Sequence, residues 1–286
     1  MHIRSAFLLC ALFAASPVYA QQAQSAPEHA YGAAPAQKLD FYLPSGATTA
    51  LPPLVVFVHG GGWQRGNKQN ATGTPKITHL RDTGYAFATI DYRLVPEATV
   101  EQQADDVAQA LAWLIGHARE LGFDPRRVVL MGHSAGAHLA ALIGTDPRYL
   151  EKTGLTLDRL RGVVLLDGAA YDVPAQMAEA GRFMRPIYGK AFGSDPARQR
   201  VLSPIAHAAA PNAPAFLILH VDRDDGARQS EALAAALKAA GAKVTLQGFE
   251  GRGLRGHVAM NRQLGEADYP ATAVVDRWLS TTLAPR

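Results

Sequence analysis

The chain has 286 residues, 48% of them hydrophobic and 19% charged, which supplies one large core and excludes collagen, coiled coil and extended disorder. Its formal charge is only +3 and its lysines and arginines are scattered, so no nucleic-acid partner is expected. The single cysteine, Cys10, leaves no intramolecular disulfide to form.

Chain order begins with a basic start from Met1 to Arg4, an apolar run over residues 6–15, and Val18-Tyr19-Ala20, whose small residues stand where a signal peptidase reads. This pattern predicts a signal peptide over 1–20, a mature chain from Gln21 and a secreted or periplasmic destination. The apolar run is well short of the ~20 residues that cross a bilayer, so no stable membrane insertion is expected after the leader is removed. Residues 21–37 are rich in Ala, Gln and Pro without a period and read as a loose N-terminal arm, leaving 38–286 as one domain.

Short apolar, β-branched runs follow at 39–43, 54–58, 85–90, 128–131, 162–166, 216–219 and 244–246, all strand-like. Helical patterns lie between them. Over 100–121, Val107, Leu111, Leu114 and Ala118 share one face; further helices are predicted over 135–143, 229–240 and 270–283. Strands buried on both faces and alternating with helices imply a mostly parallel α/β sheet, covered on both sides, with its site at the carboxyl ends of the strands. Residues 168–214, with no clear strand, read either as a small roof over that site, with Tyr188 and Trp63 at the substrate pocket, or as ordinary helices of the outer layer.

The chemistry starts at Gly132-His133-Ser134-Ala135-Gly136. This pattern follows a strand-like run directly and opens a helical one, the strand–turn–helix that a nucleophile elbow requires, with Ser134 at its tip. The glycines give space where flanking side chains would strike the neighbouring strand and helix. A serine hydroxyl needs a base, and His257, after the last strand in the glycine-rich stretch 251–256, is the candidate; chain order in this fold is serine, acid, histidine. The acid is expected on the loop after the strand at 216–219, where Asp222, Asp224 and Asp225 compete. His138 reads as a packed core histidine. Oxyanion donors are expected from His59-Gly60-Gly61-Gly62-Trp63, after the strand at 54–58, and from the N–H of Ala135. A phosphate loop would close those glycines with Lys and Ser or Thr, and Trp63 stands there instead.

Together these residues resemble the α/β-hydrolase group that includes hormone-sensitive-lipase-like carboxylesterases, kynurenine formamidases and small secreted feruloyl and acetyl esterases. The likeness extends to Tyr31-Gly32, Leu39-Asp40-Phe41-Tyr42, Asp91-Tyr92-Arg93-Leu94, Pro96-Glu97 and Asp105-Asp106-Val107. It implies an α/β-hydrolase fold with a small cap or none, oxyanion donors at Gly61, Gly62 and Ala135, and no metal or organic cofactor. It also implies an acid four residues after His220, which is Asp224, with Asp222 in reserve. Val221, where the family has glycine, and Gly226-Ala227, where it has Val-Pro, depart from the pattern. The expected activity is hydrolysis of a small-molecule ester, of short-acyl, aryl or carbohydrate type, through Ser134, Asp224 and His257. An arylformamidase-like amide hydrolase, or a binding protein on an inert hydrolase fold, is the alternative. Nothing in the sequence bears on oligomeric state.

Overall fold

The computed structural model describes residues 26–46, 50–209 and 211–285; the leader read over 1–20 lies outside them. Eight strands form one sheet: β1 (Glu28–Ala30), β2 (Lys38–Tyr42), β3 (Leu54–Val58), β4 (Ala86–Ile90), β5 (Val128–His133), β6 (Gly162–Leu166), β7 (Ala215–Asp222) and β8 (Lys243–Arg252). Their order is β1-β2-β4-β3-β5-β6-β7-β8, antiparallel at β1-β2 and β2-β4 and parallel throughout the rest. Twelve helices are described: α1 (Thr74–Asp82), α2 (Val100–Gly116), α3 (Ala118–Leu121), α4 (Ala135–Thr145), α5 (Pro147–Glu151), α6 (Val173–Glu179), α7 (Arg185–Phe192), α8 (Pro196–Val201), α9 (Pro204–His207), α10 (Asp224–Ala239), α11 (Gly253–Arg262) and α12 (Pro270–Thr282).

The layering follows from the strand sequences. Every residue of Leu54-Val55-Val56-Phe57-Val58 is buried, and successive side chains enter opposite layers. Leu54, Val56 and Val58 join Val107, Leu111 and Leu142 on one face; Val55 and Phe57 join Met260, Val275 and Leu279 on the other. The central strands are wrapped this way while the edge strands β1 and β8 stay partly exposed, so polar chemistry collects where the central parallel strands terminate. Among the described residues no helix is long and apolar enough to cross a membrane.

Three sequence expectations change. The stretch read as a loose arm carries β1 and a turn in which buried Tyr31 donates its hydroxyl to the Asp91 carbonyl at 2.6 Å. The helix expected over 100–121 is divided, because the chain turns at His117, whose Nδ1 bonds to the Trp113 carbonyl. The stretch over 253–262, glycine-rich at its start, is a helix; Gly256 lacks the methyl that would press on Gly251, at 2.5 Å from its carbonyl carbon. Within 168–209 four short helices, α6 to α9, form a small cap.

Candidate active site

Ser134 stands between the last residue of β5 and the first of α4, with φ 57° and ψ −121°, in a backbone region that L-residues seldom occupy. The neighbouring glycines show why the turn can exist. A methyl on Gly132 would overlap the Gly136 carbonyl oxygen, and one on Gly136 would overlap the carbonyl oxygens of Val58 and His59. A methyl on Gly60 would reach the Ser134 Cβ at 3.0 Å. The elbow is thus wedged against the end of β3, and Ser134 is thrust outward at the start of a helix whose first N–H groups have no intrahelical acceptor.

The end of β3 runs directly into the second element of the site. Gly61, Gly62 and Trp63 all have positive φ (133°, 61° and 62°), which turns the loop back on itself. The N–H groups of Gly61 and Gly62 make no hydrogen bond within the described protein, whereas the rest of the loop is firmly held. The Trp63 carbonyl accepts from Val95 N–H at 2.9 Å and from Gln103 Nε2 at 2.8 Å. Gln64 Nε2 donates to the carbonyls of Gly62 and of Ile187 in α7, each at 3.0 Å, tying loop to cap. Free N–H groups on a fixed backbone, beside that of Ala135 at the start of α4, form a set of donors suited to a developing oxyanion.

Trp63 and Tyr188, expected to line the pocket, are only 1% exposed. They pack inside, behind the loop, with Phe192 and His138: Trp63 meets Phe192 edge-on at 4.7 Å and Tyr188 at 5.9 Å. Trp63 Nε1 donates to His138 Nδ1 at 3.3 Å, and the other His138 nitrogen donates to the Leu202 carbonyl at 2.8 Å. An indole whose N–H is satisfied and whose ring is enclosed is a support, and His138 is the packed histidine that the sequence suggested. Burial lowers the His138 pKa to about 4, so its ring is neutral and free to accept that bond.

His257 lies in α11, its side chain 14% exposed. Its Nδ1 donates to Oδ2 of Asp167 at 2.5 Å. Asp167, immediately after β6, is fully buried, and its other oxygen accepts the Val221 N–H at 3.2 Å. Burial raises the Asp167 carboxyl pKa, but the His257 hydrogen bond and the Arg223 guanidinium outweigh it, leaving the carboxyl below its ordinary value. On the elbow side, His133 Nε2 donates to the His257 carbonyl at 2.9 Å and their rings lie 4.5 Å apart. Burial, with His257 second, drives the His133 pKa well down and keeps that ring neutral.

The carboxylate expected at His257 was Asp224, and the structure does not bring them together. Asp224 is exposed in the first turn of α10 and makes no bond to His257. Asp222, the reserve, is exposed on β7, 3.7 Å from Arg252 Nε. Asp225 is partly buried and faces Arg223 and Gln176. The reason is local: β7 is irregular between Val221 and Asp222, and α10 starts two residues later, so Asp222 and Asp224 are carried outward and Asp225 is turned to Arg223 and Gln176. The signal for Asp167 was an aspartate ending the apolar run of the strand beside the nucleophile's. Other motif residues serve as framework. Asp106 receives Nε and Nη2 of Arg93, the latter at 2.6 Å, and Asp91 accepts the Lys68 N–H at 2.6 Å. Among the described residues no cluster of three His, Cys, Asp or Glu could hold a metal.

Comparison with known proteins matches residues 39–237 to the BD-FAE family model. The isoprenylcysteine alpha-carbonyl methylesterase of Arabidopsis thaliana is 30% identical over 236 residues, covering 78% of this chain and 54% of that one. Esterase LipC of Mycobacterium tuberculosis is 31% identical over 206 residues, with 68% and 50% coverage, so the chain spans about half the length of these relatives. Among solved structures, a thermophilic esterase of Thermogutta terrifontis with butyrate bound superposes with TM-score 0.71 at 25% identity, covering 92% of this chain and 97% of that one. Esterase B of Lactobacillus Rhamnosis gives 0.72 at 25% identity, with 89% and 84% coverage. With the sheet order, the elbow and a family match over most of its length, this chain is an α/β-hydrolase-fold protein and belongs to the BD-FAE family.

Proposed function

We propose that the protein is a serine carboxylic-ester hydrolase in which Ser134, His257 and Asp167 form the catalytic triad. The observation that carries this reading is the 2.5 Å bond between His257 Nδ1 and a fully buried carboxylate, with the His257 ring 4.5 Å from that of His133, the residue before a serine held at positive φ. Ser134 Oγ attacks the ester carbonyl carbon while His257 Nε2 takes its proton; the carbonyl electrons move to oxygen, which the N–H groups of Gly61, Gly62 and Ala135 receive. Collapse of the intermediate expels the alcohol with the proton from His257. Water, deprotonated by the same ring, then releases the acid and restores Ser134. Asp167 stays ionised throughout, fixing the tautomer and stabilising the imidazolium.

The substrates in this reading are small esters of short-acyl, aryl or carbohydrate type, and no metal or organic cofactor takes part. Ester hydrolysis is what the curated relatives are named for, and one solved neighbour holds butyrate. The cap is only four short helices, and in a shallow pocket each methylene that finds no wall forfeits about 0.8 kcal/mol. The leader pattern extends the proposal to export, with the mature chain starting at Gln21.

The test is fluorophosphonate labelling followed by a nitrophenyl ester series. One-to-one labelling at Ser134, with kcat/KM highest between acetate and butyrate, is the expected result. An unlabelled, inert protein points to a binding function, and a maximum at decanoate or beyond overturns the short-acyl assignment.

A further inference from the structure

Asp167 does not face His257 alone. From the turn after β7, Arg223 brings its guanidinium to the same carboxylate, with Nε 3.5 Å from the Oδ2 that receives the histidine. That Nε–H is buried and makes no hydrogen bond, so its effect on Asp167 is electrostatic. The side chain is 20% exposed and held at three points. Nη2 donates to the Gly168 carbonyl at 3.1 Å, and Nη1 meets Asp225 Oδ2 at 3.3 Å. The flat face rests on Gly226, where a methyl would lie 2.8 Å from Nη2. Asp225 is itself held by Gln176 of α6, through Nε2 at 3.2 Å. A cation braced this closely, next to the buried acid of a catalytic pair, acts on more than packing.

Resting on the triad reading above, we propose that Arg223 is a positioning residue of the reaction: it fixes the Asp167 carboxylate and, as a cation beside the Asp167–His257 pair, sets how readily His257 is held in the protonated state.

The sign follows from the charges. Asp167 stabilises the imidazolium and Arg223 opposes it. Without Arg223 the carboxylate acts unopposed, and the acid limb of the rate profile is expected to move to higher pH. The other groups near the pair leave this unchanged. His133 on the elbow is neutral, and Lys76 from α1 is buried behind it against Asn261 and the Phe57 ring. Tyr171 and Tyr269 are uncharged below pH 10, their hydroxyls pushed upward by burial. Asp225 is already paired with Arg223.

The measurement is kcat/KM for nitrophenyl acetate from pH 5 to 9 on the full chain, alongside fluorophosphonate labelling rates across the same range. Arg223→Met is expected to move the acid limb up by about one pH unit, Arg223→Lys to restore most of the difference, and Gly226→Ala, which displaces the guanidinium while keeping it, to move the limb part of the way. Should Arg223→Met fail to fold, the lysine and Gly226→Ala variants still decide the matter through the same limb. A limb that stays in place while rates fall uniformly overturns the proposal and leaves a packing role. Asp167→Asn separates this from failure of the triad: if that variant retains wild-type turnover, both readings fall, whereas a crippled Asp167→Asn beside an unmoved limb removes Arg223 alone.

Discussion

The carboxyl ends of β6 and β7 are adjacent in the sheet, and both carry aspartates, yet only one reaches the histidine. At β6 the chain ends in Leu165-Leu166-Asp167, with Asp167 at φ 43° and its carboxylate turned inward, fully buried and bonded. At β7 the chain offers Asp222, Asp224 and Asp225, and turns outward into α10. On the triad reading proposed above, the acid is the carboxylate whose oxygens reach the histidine, whichever strand end carries it. The β7 turn still reaches Asp167, but with a cation, Arg223, in place of an anion.

The comparison presupposes that the elbow is the reacting centre. Ser134→Ala and His257→Ala should each lower kcat on nitrophenyl acetate by about a millionfold. A Ser134→Ala enzyme with a tenth of wild-type rate removes the basis for comparing the acids at all.

The next effect separates the two strand ends. Asp167→Asn should cost about ten-thousandfold in kcat, since the amide no longer fixes the His257 tautomer, while Asp224→Asn and Asp222→Asn should stay within severalfold of wild type. If Asp224→Asn is the crippled enzyme and Asp167→Asn is active, the assignment is reversed.

A smaller effect tests whether the loop after β3 is as firmly fixed as the end of β6. Gln64→Ala frees the Gly62 and Ile187 carbonyls from their shared donor and should reduce kcat by about tenfold, with KM changed less, because a mobile oxyanion donor is a weaker one. Unchanged kcat means that Val95 and Gln103 suffice to hold the loop.

The smallest effect concerns stability. Burial lowers the pKa of His138 and His59 to about 4 each, below the unfolded value near 6.5, so the unfolded chain binds more protons between those limits. Stability contributed by these neutral rings is complete above about pH 6.5 and is lost as pH falls toward 4, by roughly 2 kcal/mol per ring at pH 5. Thermal melts should show a Tm several degrees lower at pH 5 than at pH 7, and His138→Gln should flatten part of that slope. A Tm independent of pH over this range contradicts it.

How much of this could be read in advance depended on whether a residue's requirement was local. Gly132, Ser134 and Gly136 announce themselves because the elbow demands small residues at fixed offsets, and the His59-Gly60-Gly61-Gly62-Trp63 loop does so for the same steric reason. His257 was legible by elimination, as the histidine after the last strand, although its surroundings were not: Gly251, Gly253 and Gly256 read as a loop, while the chain uses them to start a helix close to β8. Asp167 had no local pattern, because a carboxylate needs only burial and reach, and both are settled by sheet order. The aspartates at 222, 224 and 225, near the family's usual spacing, drew the assignment instead. Tyr31 was legible only as part of the family likeness; its role, a bond to a carbonyl 60 residues away, had no local pattern either.

The packing of Gly136 against the Val58 and His59 carbonyls carries one further consequence, and it concerns time. Ser134 can take up its strained turn only after β3 and β5 have paired in parallel register, and His257 meets Asp167 only once β6, β7 and β8 have been laid beside them. Each of these pairings closes a long loop, the slowest kind of contact for a folding chain. Ester turnover should accordingly return last during refolding, after far-ultraviolet dichroism and tryptophan fluorescence have recovered, so that the reaction itself reports completion of the sheet. A fragment ending before α11 lacks His257 and is expected to be silent however well it folds.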